Sequence, residues 1–149
     1  MALSEPWLTL GYGHDALLRT MRAPGREYTL AEVDGRLAGF IILNLHGAFA
    51  GYIQTICIAP EFRGHAYGSR LVAFAEDRIF RDHANVFLCV SSFNQSAQRL
   101  YERLGYARVG ELEDFLVPGH SEFLLRKTRG PIASYQPAGG PNGPRPRES

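Results

Sequence analysis

Within GYIQTICIAPEFRGHAYGSRLVAFAEDRI the hydrophobic period changes once, and that change restricts the fold more than any other local feature. Residues 51–58 are rich in Ile, Tyr and Thr and read as a strand, which Pro60 ends because proline cannot donate to a ladder. From Gly68 the spacing becomes helical: Leu71, Phe74, Ala75 and Ile79 form one face, with Arg70, Glu76, Asp77 and Arg81 on the other. A strand that feeds an amphipathic helix needs a sheet for that helix to cover.

The other segments supply the sheet. Residues 27–33 and 37–45 flank Asp34-Gly35, and a DG pair between β-rich runs predicts a hairpin because glycine accepts the positive φ of a tight turn. Residues 86–90 are a short apolar strand of the kind buried in a sheet interior. Residues 15–22, with Leu17, Leu18 and Met21, suit a short amphipathic helix closed by Ala23-Pro24-Gly25. A second amphipathic helix runs over 94–104, with Ala97, Leu100, Tyr101 and Leu104 on one side and Gly105 at the left-handed cap position. Residues 106–117 and 122–127 can close the chain as a hairpin across Pro118-Gly119-His120. The order helix, hairpin, strand, helix, strand, helix, hairpin predicts an α/β fold: a mixed sheet with helices on its faces.

A length of 149 residues suits one domain with a substantial core. We place it at 1–129, followed over 130–149 by a Pro/Gly-rich tail with few apolar anchors. A formal charge of +1 gives no general attraction to nucleic acid or acidic membrane, so any anion site must be local. The longest apolar stretch, 37–45, is far short of a membrane span, and MALSEPW lacks the basic-then-apolar pattern of a signal peptide; a cytoplasmic address is the expectation. Cys57 and Cys89 lie in strand-like runs and read as buried free thiols, and the scattered histidines form no metal-binding spacing.

Two segments carry chemistry. A helix N-terminus has unpaired N–H groups and a partial positive charge, so it can hold a phosphate. Gly64, Ala66 and Gly68 let a ligand approach the backbone, Arg63 adds a charge-assisted bond and Ser69 a hydroxyl. The plainer reading is a tight strand-to-helix connection. In SSFNQSAQRLYERLGY, Asn94 and Tyr101 share a helix face roughly 10 Å apart along the axis. Together they can contact different parts of one long ligand; taken singly, Asn94 caps the helix and Tyr101 packs its ring.

PEFRGHAYGSRL followed by VSSFNQSAQRLYERLGY resembles the GCN5-related N-acetyltransferase (GNAT) superfamily, in its pyrophosphate loop and its Asn…Leu-Tyr-Glu…Gly-Tyr segment respectively. Ala66 stands where that loop usually has its middle glycine, and the family's first strand is short or missing before Trp7. The resemblance implies a twisted, mostly antiparallel sheet and transfer of acetyl from acetyl-CoA to an amine by direct attack on the thioester. It implies that the backbone of Arg63, Gly64, His65, Ala66, Tyr67, Gly68 and Ser69 binds the pyrophosphate. Main-chain groups of Ile56, Cys57 and Ile58 would bond the pantetheine and offer an N–H to the developing oxyanion. Asn94, with Ala97, would complete the cofactor site, and Tyr101 would protonate the departing thiolate.

The base is open. Family members that acetylate ribosomal-protein N-termini carry a glutamate at the position of Cys89, and a buried thiol is a poor substitute. GYIQTICIAP resembles another N-terminal acetyltransferase branch in which a tyrosine aligned with Tyr52 helps a water act as base; alternation puts Gln54 on the same side. Otherwise Tyr52 is a half-exposed packing residue. In this family the first helical region and the last hairpin select the acceptor. Here Trp7, Tyr12 and Phe115 can form an apolar wall, and Glu111, Glu113, Asp114 and Glu122 are either an attractor for a cationic amine or a solvated hairpin face. The acceptor class is thus a protein N-terminus, a lysine or a small amine, and the chain is expected to be a monomer or a homodimer.

Three other classes share features with this sequence. Gly11-x-Gly13-x-x-Ala16 imitates a dinucleotide fingerprint, but Pro6 leaves little room for a central strand and Asp34 belongs to a hairpin turn. No Lys-Ser/Thr follows the glycines as a nucleotide P-loop requires. A non-catalytic acyl-CoA sensor, keeping the ligand site without turnover, is the alternative from a different class.

Overall fold

The Asp34-Gly35 turn forms as its chemistry demands, with φ of 50° and 73°, the double positive φ of a tight hairpin turn whose twist matches its strands. It joins β1 (Arg26–Val33) to β2 (Arg36–Asn44) in antiparallel register from Val33↔Arg36 outward. This computed structural model describes residues 9–11 and 13–137. Trp7, Tyr12, the side chain of Leu17 and the region before Trp7 therefore lie outside the described residues.

The chain then adds β3 (Tyr52–Ile58) antiparallel to β2, crosses through α2 (Tyr67–Ile79), and returns as β4 (Asn85–Ser91) parallel to β3. After α3 (Gln95–Arg103), β5 (Ala107–Leu112) and β6 (Glu122–Thr128) pair with each other, and β6 pairs with β4 along its whole length. The sheet order is β1-β2-β3-β4-β6-β5, with α1 (His14–Met21) preceding it in sequence. The mixed α/β architecture expected from the order of periods is the one observed.

The core lies between α2 and one sheet face. Leu71, Val72, Ala75 and Ile79 pack with Ile41, Leu43, Ile53, Val86, Leu88 and Val90. Of these, Ile41, Leu43, Val72, Ile79, Val86 and Leu88 are almost completely buried, at about 1.5–3 kcal/mol apiece for a large aliphatic side chain. Phe74, expected on this face, is 51% exposed. It sits about 115° around the helix from the centre of the buried stripe, a position that Val72 lets the helix leave open.

The last hairpin is shorter than its sequence suggests. β5 stops at Leu112, and residues 113–121 form a loop in which the Asp114 carboxylate accepts the Gly119 N–H at 2.7 Å. Ser92 N–H donates to the Ser121 carbonyl at 2.8 Å, which ties that loop to the end of β4. Beyond Arg129, a turn at Ile132–Ser134 brings the Tyr135 hydroxyl to the Phe80 carbonyl, which accepts its hydrogen bond. Among the described residues no helix is long and apolar enough to cross a membrane.

Candidate active site

β3 and β4 pair at only two positions, Tyr52↔Phe87 and Ile53↔Leu88, and then diverge. The divergence begins beside a bulge. Ile42 faces Thr55 while Leu43 faces Ile53, so Gln54 is an extra residue on β3 and the strand bends there. Beyond Ile53 the β4-facing backbone of β3 has no ladder partner, an edge that a ligand can use. The bulge also resets the alternation: Ile56 and Ile58 pack against the α2-side core, as Ile53 does.

A cavity of about 840 Å³ occupies the gap and opens on both sheet faces. On the α2 side it is bounded by the turn into that helix. Gly64 and Ala66 have φ of 77° and 63°, and left-handed residues so close together are the kind of turn that can gather backbone N–H groups around an anion. No side chain caps α2, so its first N–H groups are left for a ligand. A Cβ at Gly64 would meet nothing within 4 Å, which marks open space against the backbone. An anionic phosphate group fits this turn. Arg63 lines the same wall, its Nε donating to the Ile58 carbonyl at 3.1 Å.

α3 forms the opposite bank. Asn94 is its N-cap, Oδ1 accepting the Ala97 N–H at 3.3 Å, and Asn94 also lines the cavity; the cap uses the carbonyl oxygen and leaves the amide NH₂ as a donor. Tyr101, two turns on, is 5% exposed, stacked edge-on against Tyr106 at 5.7 Å, and lines the cavity. Burial pushes its phenol up to about 12, so it stays protonated at neutral pH. Every catalytic and cofactor-binding candidate from the sequence meets in this one cavity except His65, whose ring turns back to the Arg63 carbonyl at 2.9 Å; of the acceptor-selecting candidates Phe115 and Glu122 line it, and Glu111, Glu113 and Asp114 do not.

On the far face the wall is polar. By register Tyr52, Cys89 and Ser91 share that face, and Gln54 joins them on the cavity wall while its Oε1 accepts from the Arg26 Nε. Burial above all, then the neighbouring Cys89 and Glu122, hold the Tyr52 phenol well above its ordinary value. At neutral pH the Tyr52 phenol thus keeps its proton. Burial likewise raises the Cys57 and Cys89 thiols, which keeps both neutral.

A family model described as the acetyltransferase (GNAT) family matches residues 2–106, more than half of the chain. The chain belongs to the GNAT family. Among its relatives, N-acetylaspartate synthetase of Danio rerio is 28% identical over 112 residues, covering 72% of this chain and 39% of that protein. Aminoalkylphosphonate N-acetyltransferase of Salmonella typhimurium is 31% identical over 98 residues, covering 62% and 64%. N-alpha-acetyltransferase RimI of Mycobacterium tuberculosis is 27% identical over 130 residues, covering 85% and 78%. The chain thus spans less than two thirds of the length of the first two. Among solved GNAT structures, the ribosomal-protein-S18-alanine N-acetyltransferase of Escherichia coli has a TM-score of 0.66 at 15% identity, covering 85% of this chain and 90% of that one. An aminoglycoside 6'-N-acetyltransferase complexed with coenzyme A has a TM-score of 0.64 at 20% identity, covering 81% and 83%. At such identities the likeness is one of fold.

Within this GNAT fold one of the acidic candidates is set apart from the others. Glu122 belongs in sequence to an acidic hairpin run, yet it is 4% exposed and lines the cavity, its carboxylate accepting from the Ser91 hydroxyl at 2.5 Å. Burial raises its carboxyl above the usual range, and the Ser91 bond partly offsets that. The signal available in sequence was that Glu122 opens the strand-like run EFLLRK, whereas Glu111, Glu113 and Asp114 precede the loop's Pro-Gly.

Proposed function

We propose that the chain is an acetyl-CoA-dependent N-acetyltransferase that acylates a primary amine by direct attack in a ternary complex. The observation that carries this reading is the cavity between β3 and β4, which joins an anion-binding turn and a buried phenol on one face to a polar pocket on the other. The relatives support it in being N-acetylating enzymes whose acceptors differ. In this reading the domain is 1–129, and 130–149 is a tail that adds no described residue to the cavity. Two free cysteines suit the reducing cytoplasm.

Acetyl-CoA supplies the activated acyl group. The N–H groups over 64–69 and the Arg63 guanidinium hold its diphosphate. The free edge of β3 at 56–58 bonds the pantetheine amides and offers an N–H where negative charge develops on the carbonyl oxygen. Asn94 donates its amide to the same arm. Tyr101 gives its proton to the departing thiolate, and Tyr52 orients the acceptor or a water by donating a hydrogen bond.

Thiol release from acetyl-CoA, measured across peptides with free N-termini, lysine peptides, polyamines and small alkylamines, tests the reading and identifies the acceptor class. Binding without release for every amine would favour an acyl-CoA sensor. Separately, at about 100 times its Kd acetyl-CoA stabilises the fold by about 2.7 kcal/mol. Arg63→Glu replaces an attraction with a repulsion and is expected to cut the acetyl-CoA-induced rise in Tm to half or less at the same concentration. An undiminished shift would remove Arg63 from the diphosphate site.

A further inference from the structure

Glu122 is a buried carboxylate with no cation beside it. Among the described residues it forms no ion pair, and its hydrogen bond comes from a neutral hydroxyl, Ser91. The titratable groups facing it are Tyr52 from β3 and Cys89 from β4, neither of them positive. The arginines on the cavity wall are Arg63, at the helix turn, and Arg103 on α3, and Arg26 is engaged by Gln54. The rest of the acidic run is used elsewhere or exposed: Glu111 pairs with Arg108, and Asp114 holds the Gly119 N–H. A carboxylate taken out of water without compensation is costly, and a cationic ligand in the adjoining cavity would supply that compensation. The same cavity is also lined by Met21, Phe115 and Leu116, apolar side chains that suit the carbon flank of an amine.

We propose that Glu122 receives the acceptor as an ammonium ion and takes its proton, so that acceptors are primary amines that arrive protonated and carry an apolar flank. This rests on the N-acetyltransferase reading. The carboxylate accepts one proton from R–NH₃⁺, leaving R–NH₂ and a neutral carboxylic acid. The nitrogen lone pair then forms the C–N bond at the thioester carbonyl while the C–S bond breaks, and the thiolate takes the Tyr101 proton. The second proton lost by the nitrogen restores the phenol, and Glu122 returns its own to solvent. Atoms and charge balance: the ammonium ion and the thioester become amide, thiol and one proton released to solvent.

Two probe acceptors separate proton removal from mere support of the fold. At neutral pH n-butylamine is an ammonium, whereas hydroxylamine is already neutral. In Glu122→Gln, kcat/KM for n-butylamine is expected to fall at least about 100-fold, the size of a lost acid–base group, while hydroxylamine loses less than about 10-fold and the acetyl-CoA-induced Tm shift is kept. Equal losses for both amines, or none, would overturn the proposal. If Glu122→Gln does not fold, Ser91→Ala serves: losing that bond raises the Glu122 carboxyl further, so the acidic fall in kcat/KM for n-butylamine moves to higher pH, and an unmoved profile overturns the assignment. Wild-type protein that releases no thiol with either amine or with any other would sink the transferase reading itself, and this proposal with it. Normal wild-type turnover with an unaffected Glu122→Gln sinks this proposal alone.

Discussion

Tyr101→Phe is expected to lower kcat about 100-fold or more while leaving acetyl-CoA binding intact. The substitution keeps the ring that packs edge-on against Tyr106 at 5.7 Å and removes only the hydroxyl, so the fold loses little. What disappears is the donor for the departing thiolate, and general acid groups of this kind are worth about 100- to 10,000-fold. The pH profile sharpens the test. An acid works only while protonated, and burial pushes this phenol up to about 12, so activity is lost only as pH rises through that value. Wild-type protein is therefore expected to show no alkaline loss from Tyr101 up to about pH 10, judged from steady-state rates of thiol release. A variant with unchanged kcat, or one that no longer shows an acetyl-CoA-dependent Tm shift, would place the hydroxyl outside the transfer step.

Which parts of this protein are legible in its sequence follows from how local their causes are. The Asp34-Gly35 hairpin, the Asn94 cap and the left-handed Gly105 at φ 90° are each decided within a few residues, and each is where its residue type requires. The turn over 63–69 is legible for the same reason: a strand stopper, a glycine that takes positive φ and a helix start lie in one short stretch, although the left-handed Ala66 at φ 63° is not what its residue type favours. Glu122 is the opposite case. Its burial depends on lying across from Ser91, 31 residues away, and the acidic run in which it was first placed is contiguous only in sequence. The bulge at Gln54 is likewise invisible locally, because it exists only as a mismatch between β2 and β3. Strict alternation put Tyr52 and Gln54 on one side; both do line the cavity, but beyond the bulge the alternation is reset. Sequence carries the strand through residue 117 and the structure ends it at Leu112, because the Asp114 to Gly119 bond that closes the loop outweighs the β propensity of Phe115 and Val117. His65 shares the turn's sequence but not its direction, being held by the Arg63 carbonyl.

Gly51→Ala is expected to destabilise the fold by about 2–6 kcal/mol, through two independent faults at the position that joins the two halves of the sheet. Gly51 has φ of 89°, where an L side chain costs about 1–3 kcal/mol. A Cβ built there would lie 2.4 Å from the Asn85 carbonyl oxygen and 2.7 Å from Ile79 Cγ2. Asn85 is backbone in β4 and Ile79 is fully buried, so neither yields without moving core, which adds about 1–3 kcal/mol of overpacking. For a domain of this size the sum lowers Tm by about 4–24 °C, readable by thermal unfolding. The damage is also aimed at the site. The Gly51 carbonyl accepts the Phe87 N–H at 3.0 Å, next to the only two register pairs between β3 and β4. That short zip sets how far the strands have diverged by the time they reach Ile56 and Ser91, hence the width of the cavity. Well below its Tm the variant should therefore also bind acetyl-CoA more weakly than wild type, visible as a smaller ligand-induced Tm shift. A loss of stability with the full ligand shift retained would show that the cavity's width is held by α2 and α3 and not by the junction at Gly51.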